Sequence, residues 1–146
     1  MRELKLEPIP VSDALRAALT SAGLLVDDLD GSDRRYFAFV AADRRVVGYS
    51  GIETCDNDAV LLRSVVVLPE YRSQGYGRHL VEATLARTSP SGEVYLATTS
   101  AASFFESIGF TSVQRDQVPP AILSTRQLSG LCPASATIMR LNRPPT

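Results

Sequence analysis

Val65-Val66-Val67-Leu68-Pro69-Glu70-Tyr71-Arg72-Ser73-Gln74-Gly75-Tyr76-Gly77-Arg78-His79-Leu80 changes character twice along its length. A β-branched apolar run ends at a proline. An arginine and two glycines spaced G-x-G follow, and a helical apolar spacing then begins. Strand, turn and helix N-terminus in that order make an anion site. The first N–H groups of a helix have no intrahelical acceptor, and the helix dipole adds positive charge where they point. Glycine removes the Cβ atoms that would hold a pyrophosphate away from the backbone. The competing reading is an ordinary strand–turn–helix connection.

The phosphate-binding strings with known spacing do not all fit. A Walker loop needs G-x-x-x-x-G-K-[ST], which is absent, and a dinucleotide fingerprint needs a third glycine where Leu80 stands. What stands here is R-x-x-G-x-G directly after a V-x-V-x-P strand end. This string resembles the acetyl-CoA pyrophosphate loop of the GNAT superfamily of N-acetyltransferases. A second block, Val94-Tyr95-Leu96-Ala97-Thr98-Thr99-Ser100-Ala101-Ala102-Ser103-Phe104-Phe105-Glu106-Ser107-Ile108-Gly109-Phe110, is similar to the strand and G-F helix of the same family. The resemblance implies an α/β chain with a mixed, mostly antiparallel sheet of six to seven strands flanked by helices. It covers nearly the whole chain as one domain, residues 1–142, with 143–146 as a frayed tail.

The resemblance also implies acetyl-CoA as the cofactor, with no metal. Its binding residues by position are Val65, Val66, Val67, Arg72, Ser73, Gln74, Gly75, Tyr76, Gly77, Arg78 and Phe105. The amides from Arg72 to Gly77 hold the phosphates, with Arg72 and Arg78 as charge partners. In the family the strand before the loop splays from its neighbour, so Val65 and Val67 offer backbone groups to the pantetheine arm. An amide near Val65 then faces the thioester oxygen, which gives Val65 a catalytic place. The valine side chains are core in either reading.

At 146 residues the chain has the length of one domain with a proper core. Its 45% hydrophobic and 21% charged content are ordinary for a globular protein. A net charge of −1 argues against nucleic acid and anionic membranes as partners. No apolar run reaches the length of a membrane span, and MRELKLEPIP lacks the apolar stretch of a signal peptide, so the expected location is the cytoplasm. Cys55 and Cys132 are far apart and His79 is the single histidine, which leaves no metal-ligand cluster.

Periodicity predicts the remaining elements. Arg2 to Ile9 alternates as a strand. Ser12 caps a helix from Asp13 to Ala22 that Gly23 ends. Tyr36 to Ala42 and Val46 to Glu53 form a hairpin around Asp43-Arg44-Arg45. Ala59 to Leu68 is a long strand and Gly75 to Arg87 a helix. Glu93 to Thr99 is a strand, Ala101 to Ile108 a helix stopped by Gly109, and Phe110 to Val113 a strand. A proline-led helix runs from Pro119 to about Leu128, and Ala134 to Leu141 is the last strand.

Acetyl transfer to an amine needs an oxyanion donor and a route for the amine proton. Many relatives place a tyrosine acid where Phe105 stands, and phenylalanine cannot donate a proton. No glutamate stands in Leu61 to Ser64, where some relatives keep a base. Glu53 is the nearest strand carboxylate and is expected to act as base or ammonium anchor; the alternative is a solvated strand-end glutamate. Tyr49 faces the same side as Glu53, which makes it a lining residue of the same cleft or simply a half-buried aromatic. Arg63, with Ser64 beside it, interrupts an apolar strand. Such an arginine grips an acceptor carboxylate or forms an internal ion pair.

Thr125-Arg126-Gln127-Leu128-Ser129-Gly130-Leu131-Cys132-Pro133-Ala134-Ser135-Ala136 resembles the small N-acetyltransferases of bacterial arsenic-resistance operons. Thr98-Thr99, Phe105 and the proline-led helix resemble domains that acetylate glutamate. These likenesses imply an amino-acid acceptor, including an arsenic-bearing glutamate analogue, with Thr98, Arg126 and Ser135 as pocket residues. They leave open whether Cys55 and Cys132 meet arsenic. The family also implies a homodimer. A peptide or protein N-acetyltransferase and a non-catalytic acyl-CoA sensor remain the competing functions.

Overall fold

Ser12 starts the first helix as its chemistry dictates. Its hydroxyl accepts from the Leu15 amide at 3.2 Å, and α1 runs Asp13–Ser21. The computed structural model describes residues 4–24, 26, 29, 33–55, 59–88, 92–125 and 136–142. Its strands are β1 (Leu4–Ile9), β2 (Arg34–Ala41), β3 (Val46–Thr54), β4 (Val60–Val67), β5 (Val94–Thr98), β6 (Phe110–Val113) and β7 (Thr137–Leu141). The helices after α1 are α2 (Tyr76–Leu85), α3 (Ala102–Ile108) and α4 (Pro120–Leu123). The strands form one seven-stranded sheet in the order β1-β2-β3-β4-β5-β7-β6. The β1–β2, β2–β3, β5–β7 and β6–β7 pairs are antiparallel, and β4–β5 is parallel. This is the mixed, mostly antiparallel α/β architecture expected from the sequence. Among the described residues, no helix is long and apolar enough to cross a membrane.

The chain divides into two compact units, Met1–Glu53 with Leu62–Pro90, and Thr54–Leu61 with Ser91–Thr146. In the first, one sheet face is sealed by α1. Leu15 and Leu19 pack with Leu29, Tyr36, Ala38, Val40, Tyr49 and Val66. Burying each leucine stabilises by about 1.5–3 kcal/mol. Residues of the opposite face meet α2. The Ser50 hydroxyl lies 2.7 Å from that of Thr84, which in turn donates to the Leu80 carbonyl. Gly48 leaves room on this face for both neighbours, because a Cβ there would collide with the Val66 carbonyl oxygen of β4 and crowd Leu80 of α2.

Two irregularities set which side chains share a face. The β2–β3 register shifts between Phe39 and Val40, so Phe39 pairs with Gly48 but Val40 with Val46. Arg34 consequently stands opposite Glu53. In β4, Ser64 has φ +58°, in the left-handed region that non-glycine residues rarely enter. Arg63 bonds to Glu53, and Val66 packs with Tyr49; both therefore serve one face although they are three positions apart. A regular strand would send them to opposite faces. Ser64 supplies the extra residue of a bulge.

In the second unit, β4 and β5 pair Val60 with Val94 and Leu61 with Tyr95. Ala59, Leu61, Tyr95, Val118, Ile122 and Ile138 form its core. Gly109, at φ +121°, ends α3. The proline-led helix is a single turn. The Ser124 and Thr125 hydroxyls donate back to Ala121 and Ile122 carbonyls, which gives the last turn local partners. The expected continuation over 126–128 lies outside the described residues.

Candidate active site

The backbone after β4 is built to expose donors. Pro69–Tyr71 makes one 3-10 turn, closed by the Arg72 amide on the Pro69 carbonyl. Ser73 then takes φ +64° and Gly75 φ +83°, and α2 begins at Tyr76 with no side-chain cap. Among the described residues, the amides from Ser73 to Gly77 have no acceptor. No atom lies within 4 Å of where a Gly75 Cβ would sit. Free amides, open space and a helix of ten residues behind them fit a diphosphate. The donor set therefore suits the phosphates of coenzyme A.

The arginines expected to help are placed differently. Arg72 Nε donates to the Val67 carbonyl at 3.0 Å, so this side chain braces the strand end. Arg78 pairs with Glu82 one turn along α2 at 3.4 Å. Gln74 donates to the Glu70 carbonyl, and Tyr71 and Tyr76 stack edge to face. The loop's own side chains thus hold its shape, and the amides are the groups left for a ligand. Val66 is buried, whereas Val65 and Val67 are half-buried on either side of it.

Arg34, Glu53 and Arg63 form a charged cluster on the face that carries Tyr49. Arg63 Nη1 donates to Glu53 Oε1 at 2.9 Å, and Arg34 Nε stands 3.5 Å from the same oxygen. Arg34 also bonds Asp33. Glu53 and Arg63 are each only 3% exposed. The alternative reading of Glu53, a solvated strand-end glutamate, does not hold, because the β2–β3 register and the left-handed Ser64 bring two guanidinium groups to a buried carboxylate. Of the two readings of Arg63, the internal ion pair forms. Sequence reasoning missed Arg34 altogether. Its signal was a position opposite Glu53 that becomes visible only once the register shift is known.

Tyr49 is 7% exposed, and burial pushes its phenol above the ordinary value. Its hydroxyl has no hydrogen-bond partner among the described residues. Ser64 is buried beside the cluster. Thr98 and Phe105 belong to the second unit. Thr98 Oγ1 accepts from the Ala101 amide at 3.0 Å and from Ser100, bracing the turn into α3. Phe105 is buried edge to face against Phe104 and Phe110. Arg126, Ser135 and Cys132 lie outside the described residues. Cys55 is half-buried. Among the described residues, no group of three or more His, Cys, Asp or Glu side chains comes together to hold a metal.

Comparison with known proteins agrees with this geometry. The family model for the acetyltransferase (GNAT) domain matches residues 33–112, more than half of the chain. No curated protein matches it. A GNAT-family acetyltransferase from Staphylococcus aureus Mu50 shares the fold at TM-score 0.66 and 16% identity, over 96% of this chain and 100% of that one. N-acetylglutamate synthase from Neisseria gonorrhoeae, solved with coenzyme A and L-arginine, superposes at TM-score 0.73 and 16% identity, over 95% of this chain and 33% of that one. A spermidine N-acetyltransferase from Vibrio cholerae, SpeG, gives TM-score 0.66 at 12% identity, over 94% and 92% of the two chains. The two blocks read from the sequence, 65–80 and 94–110, fall within the matched segment or end at its border. The chain therefore belongs to the GNAT acetyltransferases, enzymes that use acetyl-CoA to acetylate amines.

Proposed function

We propose that this protein transfers the acetyl group of acetyl-CoA to the amino group of a small amino acid or amino-acid analogue, by direct attack and without a covalent enzyme intermediate. The reading is carried by the amides from Ser73 to Gly77, which have no acceptor of their own among the described residues. When bound, coenzyme A supplies an activated acetyl thioester. Gln74, Gly75, Tyr76 and Gly77 hold its phosphates. With Ser64 in the left-handed region just before it, the Val65 amide would be the donor that stabilises charge developing on the thioester oxygen.

The acceptor's class follows from the charged cluster. An α-amino acid carries a carboxylate and an ammonium, and Arg63 of β4 with Glu53 of β3 would supply the two complementary charges by exchanging their own ion pair for the ligand's groups. Glu53 anchors the ammonium and takes its proton, directly or through a water, so that the neutral amine attacks. Tyr49 lines this face. Arg34 meets the same carboxylate and is also paired with Asp33, so the preference for glutamate or an arsenic-bearing analogue rests on the sequence resemblance and not on an excess of positive charge. Thr98, Arg126 and Ser135 stay acceptor candidates by the sequence resemblance alone. The working unit is one acetyltransferase domain over residues 1–142, as a cytoplasmic homodimer; analytical ultracentrifugation checks the dimer.

Thiol release from acetyl-CoA measured against amino acids, an arsenic-bearing glutamate analogue, spermidine and a peptide panel tests the assignment. Turnover is expected with acidic amino acids or their analogues. Turnover confined to peptides or polyamines, or coenzyme A binding with no acetylation of any amine, would replace it.

A further inference from the structure

We propose that a cleft at the far end of α2 from the Gly75 turn binds a small organic oxyanion, a carboxylate or phosphate carried on an apolar body. The cleft has a volume of about 480 Å³ and lies among the β1–α1 connector, the start of β2 and Arg87. That size falls in the range of small-molecule sites, roughly 300–1,000 Å³. The described residues that line it include three arginines, Arg34, Arg35 and Arg87, and no carboxylate. The chain as a whole carries −1, so this concentration of positive charge is local.

Arg34 is engaged by Asp33 and Glu53. Arg35 and Arg87 have no carboxylate partner among the described residues. Their guanidinium carbons stand 6.0 and 5.3 Å from the centroid of one ring, Phe37. Arg87 also donates to the Leu6 carbonyl, which fixes the direction of its fork. Both cations stand near one ring in a cleft whose described lining holds no carboxylate, and an oxyanion bound there would give them the counter-charge they lack. A planar fork suits carboxylate or phosphate oxygens. Pro10 and Val11 supply apolar wall for the rest of the ligand, and low-dielectric walls around charge of one sign strengthen the local field. The site is separate from the cofactor turn: α2 spans ten residues and is about 15 Å long, with Gly75 just before its start and Arg87 just past its end. It does not depend on the acetyltransferase reading.

Heteronuclear NMR titration of the full chain, with coenzyme A present in excess to block the α2 N-terminus, tests the proposal. The probes are benzoate, phenyl phosphate and the neutral isostere benzamide. Saturable shifts of the Ile9, Phe37 and Arg87 amides are expected with benzoate or phenyl phosphate, and whichever binds tighter identifies the oxyanion. Benzamide is expected to bind at least tenfold more weakly. Arg35→Gln and Arg87→Gln should each weaken binding several-fold, while Arg115→Gln, an exposed arginine of the second unit, leaves it unchanged. Equal binding of benzamide, shifts confined to residues 72–78, absence of saturation, or affinity that survives both substitutions would overturn the site. Should the variants not fold, the wild-type shift map and the benzamide comparison decide alone.

Discussion

Glu53 and Arg63 are buried together, and that makes each dangerous alone. Removing one partner of a buried pair strands the other, at a cost of about 3–5 kcal/mol. Arg63→Met should therefore destabilise strongly, with Arg34 offsetting part of the loss because it stays near the same oxygen. Glu53→Gln combined with Arg63→Met should recover at least half of that stability in urea unfolding. Acetylation of free amino acids should stay lost in the double variant. A stable double variant with normal turnover would reduce the cluster to a structural ion pair. Arg63 was legible in the sequence because an arginine in an apolar strand must find a counter-charge or water. Arg34 was not: carrying the Val40–Val46 pairing along the hairpin without its shift would place Arg34 opposite Ile52 rather than Glu53.

The elements themselves were readable from periodicity and punctuation. Ser12, Gly109 and the valine run of β4 mark their boundaries by local chemistry that any surrounding fold respects. Among the described residues α4 stops at Leu123, with Ser124 as its C-cap, because Pro119 and Pro120 start a helix well but do nothing to extend one. The turn before α2 makes the sharper claim. At φ +83° a Gly75→Ala substitution costs about 1–2 kcal/mol of backbone strain. No protein atom crowds the added methyl. If phosphates occupy that space, coenzyme A affinity should fall at least tenfold by calorimetry, well beyond the change in unfolding free energy. Affinity that tracks stability alone would move the phosphates elsewhere.

For the molecule as a whole, binding and stability are linked. Coenzyme A at 100 times its Kd should stabilise the fold by about 2.7 kcal/mol. For a chain of this size that is a rise in Tm of roughly 5–10 °C. A melting curve that does not move would leave the amides of Ser73–Gly77 without their ligand and the acetyl-transfer mechanism without its first step. Short-range chemistry was sufficient for the strand–turn–helix motif, the order of strands and helices and the family they belong to, since alternation, caps and glycines act within a few residues of one another. Which distant charges meet was decided only by the folded sheet. A one-residue register shift in β2–β3 and one left-handed serine in β4 determine which face each later side chain occupies. No local pattern encodes that choice, because its outcome lies in pairings between positions far apart in sequence, Arg34 with Glu53 and Glu53 with Arg63.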